Sequence, residues 1–593
     1  MQTVTLELNL RSRFTLSLAV WSVLQLTLAA HTIRADERNG LQQQQASPVD
    51  RVFSSESYPS GNPSQPLANP QIATLPAPFP YEESIVPPAP LPVPGQPMQE
   101  AQVRMSRLPF AEPILHDESV PEAKPNIGWR LTEGFLKLID APAKPLAKFF
   151  SKTLHMEHDE INAELSGSPI GIQEIPERPP LILELNEDFL GPGFLESGIE
   201  LPTGAVWRPA LWVFGTYRTG LSYSESSAPT FAESAQRLDI FAQLNLSGTE
   251  RFVVGMRPLD QEVGPGREFN SYGFRNGDVM DGWNSDVQTL YFEGDFGEIF
   301  PNLDPYDIHA LDYGFSVGRQ PMSFQQGLLI NEDMLDAVTV TRNTLNGNGN
   351  LNMRATAVYA WNRINRNNNM ADRDAQLVGL FTESDFRNNT INFDVGYLHS
   401  QTQLGSLAAF GLSAIRRFHG HENTYNSSLH VLASFPTEGE TAAAGQGELL
   451  FSQFSWTRHH SEDIVYVNGF WAIDQFTSLA RGPLAGGPLG QTGILFAAPG
   501  LGRFGAPLSN QASDAFGGSI GYQMFFDHTR KQVVLEIGGR KDTNGIDNGA
   551  IATGIRYQQA IGQHWIMIVD GFIAKRESVG LAPGARLEFL AKF

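Results

Sequence analysis

Residues 391–400 read INFDVGYLHS. Ile391, Phe393, Val395, Tyr397 and His399 alternate with Asn392, Asp394, Gly396, Leu398 and Ser400. Successive side chains of a strand point to opposite faces, so this segment has one greasy face and one polar face. The same period of two runs through Leu238, Ile240, Ala242, Leu244 and Leu246. It returns at Phe516, Ile520, Tyr522, Met524 and Phe526. Alternation alone fits a β-sandwich, a propeller or a barrel.

Three features favour a transmembrane barrel. The alternating segments are about ten residues long, the length of a tilted strand in a bilayer. Their polar faces are rich in Gly, Ser, Asn, Gln and Arg, as suits an interior that faces water. Aromatic residues sit near segment ends at Trp207, Tyr223, Tyr313, Trp361, Phe418, Trp456, Trp471 and Trp565, the pattern of interfacial girdles.

Candidate strands start near residues 210, 236, 250, 286, 312, 334, 352, 374, 390, 407, 424, 447, 464, 515, 532, 549, 564 and 584. The expected fold class is therefore all-β: an antiparallel transmembrane β-barrel of about 18 strands, within a range of about 16–20. The long gaps 259–285, 321–333 and 476–514 fall on one side of such a barrel, and most short gaps fall on the other. Outer-membrane barrels have that asymmetry.

The rest of the chain divides by composition. Arg11 and Arg13 precede the charge-free segment 14–30, FTLSLAVWSVLQLTLAA, which reads as a signal peptide over 1–35. An N-terminal membrane anchor is the other reading. Between Pro48 and Pro125 lie 18 of the 39 prolines, so 36–126 is expected to be a disordered, semi-rigid linker. Residues 127–165 form an amphipathic helical segment interrupted at Pro142 and Pro145. It would dock on the main domain, lie on a membrane or plug a pore. A connector, 166–208, leads into the barrel at 209–593.

The chain has 593 residues and a net charge of −22, against generic nucleic-acid binding. It has no cysteine, which excludes disulfides and thiolate chemistry. No P-loop, HExxH or GxSxG occurs, so no catalytic residue, cofactor or metal is assigned. His399 and Ser400 point to opposite faces of one strand and cannot form a dyad. His419 with His421, and His459 with His460, read as surface histidines in short turns.

The stretch Tyr313 to Asn343, YGFSVGRQPMSFQQGLLINEDMLDAVTVTRN, with Leu244 to Leu259, LNLSGTERFVVGMRPL, resembles bacterial outer-membrane porins, and more narrowly the alginate-export type. Gly318, Arg319 and Gln320 at a strand end, followed by Asp336 entering the next strand, carry that resemblance. It implies a monomeric pore for an anionic polysaccharide with a basic lumen. The long proline-rich region departs from the family pattern.

From residue 209 onward there are 23 arginines and 4 lysines. Arg218, Arg237, Arg251, Arg257, Arg354, Arg540, Arg556 and Arg586 fit the polar faces of their strands and are the pore-lining candidates. Unpaired, they would favour anions; paired with lumenal carboxylates, they would be structural. The apolar Gly/Pro-rich loop 476–514 reads either as the candidate constriction, with Arg481 and Arg503 facing the pathway, or as a floppy outer loop. The loop 259–285, with Arg267, Arg275, Asp278, Asp281 and Asp286, is expected to be solvated surface, with calcium or substrate binding as the other reading. The final strand ends on Phe593 and resembles the signal read by the outer-membrane barrel-assembly machinery. The expected partners are outer-membrane lipid, that machinery and a small polar or anionic solute, with cell wall for the proline-rich arm. The place implied is the outer membrane of a Gram-negative-type envelope. An adhesion protein anchored by its barrel, and a secreted carbohydrate-binding β-protein, are the alternatives.

Overall fold

A computed structural model describes residues 143–159, 178, 180–191 and 197–593, apart from 226–229, 264–265, 307–310, 348, 368, 420–422, 459–460, 545–548 and 578–579. The signal segment, the proline-rich stretch and the first part of the helical segment lie outside the described residues.

The barrel strands are β1 (Ala210–Ser224), β2 (Phe231–Asn245), β3 (Arg251–Met256), β4 (Val287–Asp295), β5 (Tyr313–Phe324), β6 (Ile330–Arg342), β7 (Asn352–Trp361), β8 (Gln376–Asp385) and β9 (Asn389–His399). They continue as β10 (Leu407–His419), β11 (Asn423–Pro436), β12 (Gly447–Arg458), β13 (Ile464–Gln475), β14 (Ser513–Phe526), β15 (Lys531–Asp542), β16 (Ala550–Ile561), β17 (Trp565–Arg576) and β18 (Gly580–Lys592). Each pairs antiparallel with the next, and β18 returns to pair with β1 from Gly584↔Ser224 to Lys592↔Thr216. The sheet is a closed 18-stranded barrel. The largest shift from the expected starts is at the second and sixth strands and the last, found at Phe231, Ile330 and Gly580. Each extends further toward one rim than its alternation shows.

Two irregular segments complete the pairing. β3 is only six residues long and leaves the upper part of β2 without a neighbour. Within the excursion after β3, the strand Gly266–Gly273 takes that edge, pairing Glu233↔Gly273 to Gln236↔Asn270. At the opposite rim β1 runs past the end of β18. Gly215 N–H donates to the Phe593 carbonyl at 2.7 Å. The short strand Leu183–Leu185 then pairs with Leu211–Val213. Arg178 grips the Glu184 carboxylate there at 2.7 Å, and holds that carboxyl down at about 2. Unpaired edges are thereby covered at both places.

Side-chain parity gives the barrel its two faces. Outward positions are apolar and exposed: Leu221, Val378, Leu380, Phe393, Val395, Leu412, Ile520, Ile537, Ile551 and Ile573. A band of this extent around the molecule is a surface that hydrocarbon solvates and water does not. Not every girdle residue faces outward freely: Trp456 is fully buried in a cluster with Tyr425 and Val465. Connections after even-numbered strands are mostly short turns, and those after odd-numbered strands carry the long loops, so the barrel has a turn rim and a loop rim.

A helix, α1 (Ala143–Leu154), precedes the barrel. Its Pro145 is near the start, where a missing N–H breaks no helical bond.

Ile537 lies mid-strand on β15 and is 61% exposed. Ile537→Arg is expected to destabilise the barrel by about 2–4 kcal/mol in urea titrations in lipid vesicles. A change within about 0.5 kcal/mol would place this position in water instead.

Candidate functional site in the barrel lumen

The long connection between β13 and β14 folds into the lumen. Its sequence is apolar but broken by glycine and proline, so it cannot form long strands or helices. It makes two short 3-10 turns, Pro483–Ala485 and Pro488–Thr492, and a two-residue parallel pairing of Ala480–Arg481 with Ile330–Asn331 of β6. Leu479, Leu489, Leu495, Phe496, Leu501, Phe504 and Leu508 are all buried. All but Leu501, which packs with Ala235, Phe269 and Leu484, join inward-facing Leu377, Leu398, Leu432, Phe451, Phe470 and Phe572 in one apolar core. This core sits in the loop-rim half of the barrel.

Buried backbone groups of an irregular loop need partners, and the wall supplies them. The Glu536 carboxylate accepts from the N–H groups of Ile494 and Leu495, each at 2.9 Å, and from the Tyr466 hydroxyl. Asn468 and Gln453 donate to the carbonyls of Thr492 and Gln491 at 2.9 and 3.2 Å. Arg218 donates to Pro499 O at 2.9 Å and Arg540 to Ser509 O at 3.2 Å. The Glu233 carboxylate accepts from Arg503 Nε at 2.7 Å. At Gly493 a Cβ would collide with the Glu536 carboxylate, which would have to shift from its hold on the loop. The loop is thus fastened around much of the circumference.

A second, shorter loop enters beside it. Gln325, Gln326 and Gly327 all have left-handed backbone, with φ of 54°, 52° and 79°. This tight turn sends the two glutamine amides to His430, at 3.0 Å on Nδ1 and 3.1 Å on Nε2. Leu328 and Leu329 drop into the apolar core, and Leu479 N–H donates to Leu329 O at 2.9 Å.

One wall, from β16 through β18 to β3, carries alternating charge. Asp570 accepts from both Arg556 and Arg586. Arg586 also meets Glu588, and Glu588 meets Arg218 at 2.7 Å. On β2 and just after β3, Asp239 joins Arg237 at 2.8 Å and Arg257 at 2.7 Å, and Arg257 continues to Asp333. Five arginines thus face four carboxylates, a balance of 5 − 4 = +1. All but Asp333, whose side chain is 28% exposed, are nearly buried.

The remaining candidates are distributed differently. Arg251 pairs with Glu293, and Arg540 with Asp542 at 2.9 Å. Arg354 meets Glu383 at 3.2 Å with both side chains well exposed, 45% and 39%. Arg481 is buried and donates to the carbonyls of Gly327 and Leu328, so it braces the two loops and does not face a pathway. Arg503 keeps its side chain 59% exposed.

The motif behind the family resemblance lies elsewhere than a strand end. Gly318, Arg319 and Gln320 are inside β5, and Asp336 is inside β6. Pro321, which lacks a donor, sits at a break in register and not at a terminus. Arg319 shares the outward parity of Tyr313 and Val317, and binds Asp336 at 2.9 and 3.2 Å. Gln320 turns inward and donates to Ala337 O at 3.2 Å.

The loop 259–285 is partly sheet, as described above, and Arg275 donates to Thr230 O at 2.9 Å. Among the described residues no group of three His, Asp or Glu side chains is placed to hold a metal. Ser400 donates to Asp372 at 2.6 Å, while the His399 ring stacks on Tyr397, so the two point apart. His421, His459 and His460 lie outside the described residues, and so does the side chain of His419. The carboxylates Asp239, Glu233, Glu536, Asp570 and Glu588 hold the site together. Their parity on the polar faces of their strands is the sequence signal that marks them.

At the loop rim a separate clamp ties three connections. Arg366 and Asp372, both fully buried, pair at 3.0 Å. Arg366 also donates to Gly405 O at 2.9 Å and Ala443 O at 3.3 Å.

Fold and site together define a closed barrel with an apolar exterior, a charged inner wall and an inward-folded loop. No family model and no curated protein matches the sequence. Among solved structures, Pseudomonas aeruginosa OccK5 (OpdH) aligns at 10% identity, covering 64% of this chain and 98% of that one, with a TM-score of 0.42. A BenF-like porin from Pseudomonas fluorescens Pf-5 aligns at 10% identity, over 65% and 98%, with a TM-score of 0.45.

Asp570→Asn removes the charge shared by two buried arginines. The expected loss of stability is about 3–5 kcal/mol in chemical denaturation of the reconstituted barrel. Arg366→Ala is expected to free the loops 362–375, 400–406 and 437–446. Proteinase K should then cut them while the barrel band persists on gels; uncut loops would show that the clamp is dispensable.

Proposed function

We propose that the chain is an outer-membrane channel that passes small polar solutes passively through its lumen. The observation that carries this reading is the closed 18-stranded sheet with an apolar outer face. Barrels of 16–18 strands are wide enough for an aqueous passage, and closure pairs every strand as hydrocarbon requires. The inward loop would set the size limit. Exposed Arg354 and Glu383 would line the approach from the turn rim. The site belongs to a Gram-negative-type envelope on this reading. Phe593, on the final strand against β1, would be offered to the assembly machinery. The proline-rich arm would reach cell wall.

An anionic polysaccharide as cargo, the finer reading suggested by the alginate-export resemblance, draws less support. Its basic lumen would need arginines free to meet carboxylates of the cargo. Here the arginines of the charged wall already have carboxylate partners, leaving a balance near neutrality. A weak selectivity follows, with size as the main filter. An envelope anchor is the second reading, and the fullness of the loop-rim half favours it over free diffusion of large solutes.

Planar-bilayer recording of the refolded full chain separates the two. A channel gives stable unitary steps and, in a salt gradient, a small reversal potential. Deleting residues 484–508 should then raise unitary conductance. A folded, heat-modifiable barrel without steps in either form would make the barrel an anchor. A strong anion preference would restore the polysaccharide reading.

A further inference from the structure

The segment 143–159 lies on the outside of the barrel, not in its lumen. Ala147 and Met156 are buried against Met524, Phe526 and Val533, with Leu146, Phe150, Tyr522, Leu535 and Tyr557 around them. Those strand residues share the outward parity of the exposed Ile520, Ile537 and Ile555. In register, the covered pairs Tyr522↔Leu535 and Met524↔Val533 follow the bare pair Ile520↔Ile537 toward the turn rim. On the adjacent strands, Ile561 and Trp565 stand exposed at that same rim. The helix α1 therefore takes the place of lipid at the turn-rim edge of the apolar band.

The segment is held firmly. The Asp159 carboxylate accepts from the N–H groups of His528 and Thr529 at 2.7 and 2.6 Å. Asp159 N–H donates to Phe525 O at 3.1 Å, and Asp527 N–H to Glu157 O at 2.9 Å. His158 Nε2 meets the Asp463 carboxylate at 2.9 Å. The turn that receives it has three successive left-handed residues, Asp527, His528 and Thr529.

What the far face of α1 offers is chemically distinctive. The 12-residue helix holds Lys144, Lys148 and Lys152 and no acidic residue, whereas all 385 residues from 209 to 593 hold only 4 lysines. Lys148 and Lys152 are exposed one helical turn apart. Phe149 between them is 58% exposed and Leu154 44% exposed. Among the described residues Phe149 meets the edge of the Phe150 ring, and the barrel gives no account of an exposed phenylalanine between two lysines. The boundary between acyl chains and phosphates does: the ring enters the acyl region, and flexible ammonium groups reach headgroup oxygens. Charge complementarity selects an anionic headgroup.

We propose that the outer face of α1, centred on Lys148, Phe149 and Lys152, is a binding site for an anionic phospholipid in the turn-rim leaflet. This rests on the reading of the barrel as membrane-inserted. The full chain is reconstituted in nanodiscs of phosphatidylcholine with or without phosphatidylglycerol. Retained lipid is measured by native mass spectrometry and protection of 143–159 by hydrogen exchange. Phosphatidylglycerol should be retained preferentially and should protect α1 further. The double variant Lys148→Gln, Lys152→Gln should weaken its retention about thirtyfold, with the barrel strands equally protected. Equal retention of the two lipids, or no change in the double variant, overturns the site while leaving an inserted barrel. Failure of the chain to enter nanodiscs, with no heat-modifiable band, overturns the membrane reading and the site with it.

Discussion

A backbone donor or acceptor left unpaired in hydrocarbon is costly, and the whole molecule is arranged around that constraint. A sheet with an apolar outer face must close, and the pairing of Gly584–Lys592 with β1 is where it does so. Strand lengths, the parity of inward and outward residues, and the two rims follow from closure. The irregular segments obey the same rule. Gly266–Gly273 covers the part of β2 that short β3 leaves bare, and Leu183–Leu185 covers β1 beyond Phe593.

Closure creates an interior that must itself be solvated or filled. In the loop-rim half it is filled by apolar side chains from the wall and from the β13–β14 loop. Along the wall from β16 to β3 it is filled by guanidinium–carboxylate chains. Arginine suits this role because one planar group reaches a carboxylate and loop carbonyls together. Arg218 does so with Glu588 and Pro499. Arg218 and Arg540, two of the pore-lining candidates, therefore also fasten the loop.

The outer face is not uniform either. Most of it is bare, and near β14 to β16 it is dressed by α1 and the strap after it. Lysine, scarce in the barrel, is concentrated in that helix. Arginine in the buried pairs of the lumenal wall and lysine on the outer helix match their chemistry: a rigid fork for buried pairing, a flexible point charge for a fluid boundary.

Period-two alternation made the strands, their number and their faces legible, since a strand's parity is a local property of the chain. Asp570 shows where that ends. Its inward parity could be read from β17, but its two arginines come from neighbouring strands at a register that only pairing sets. The strand end expected at Gln320 is instead a break in register at Pro321 inside β5, which only the pairing with β6 reveals. Arg481, assigned to the pathway, is buried between two loops that lie about 150 positions apart in the chain. The segment 127–165 was recognisably amphipathic, and its sequence favoured docking on the main domain while leaving membrane contact and plugging open; in its described part Ala147 and Met156 pack against Met524, Phe526 and Val533 on the outer face. Local pattern decided which way each side chain points. Which charges neutralise one another, and whether a loop fills the lumen, depend on contacts between distant segments, and those exist only once the sheet has closed.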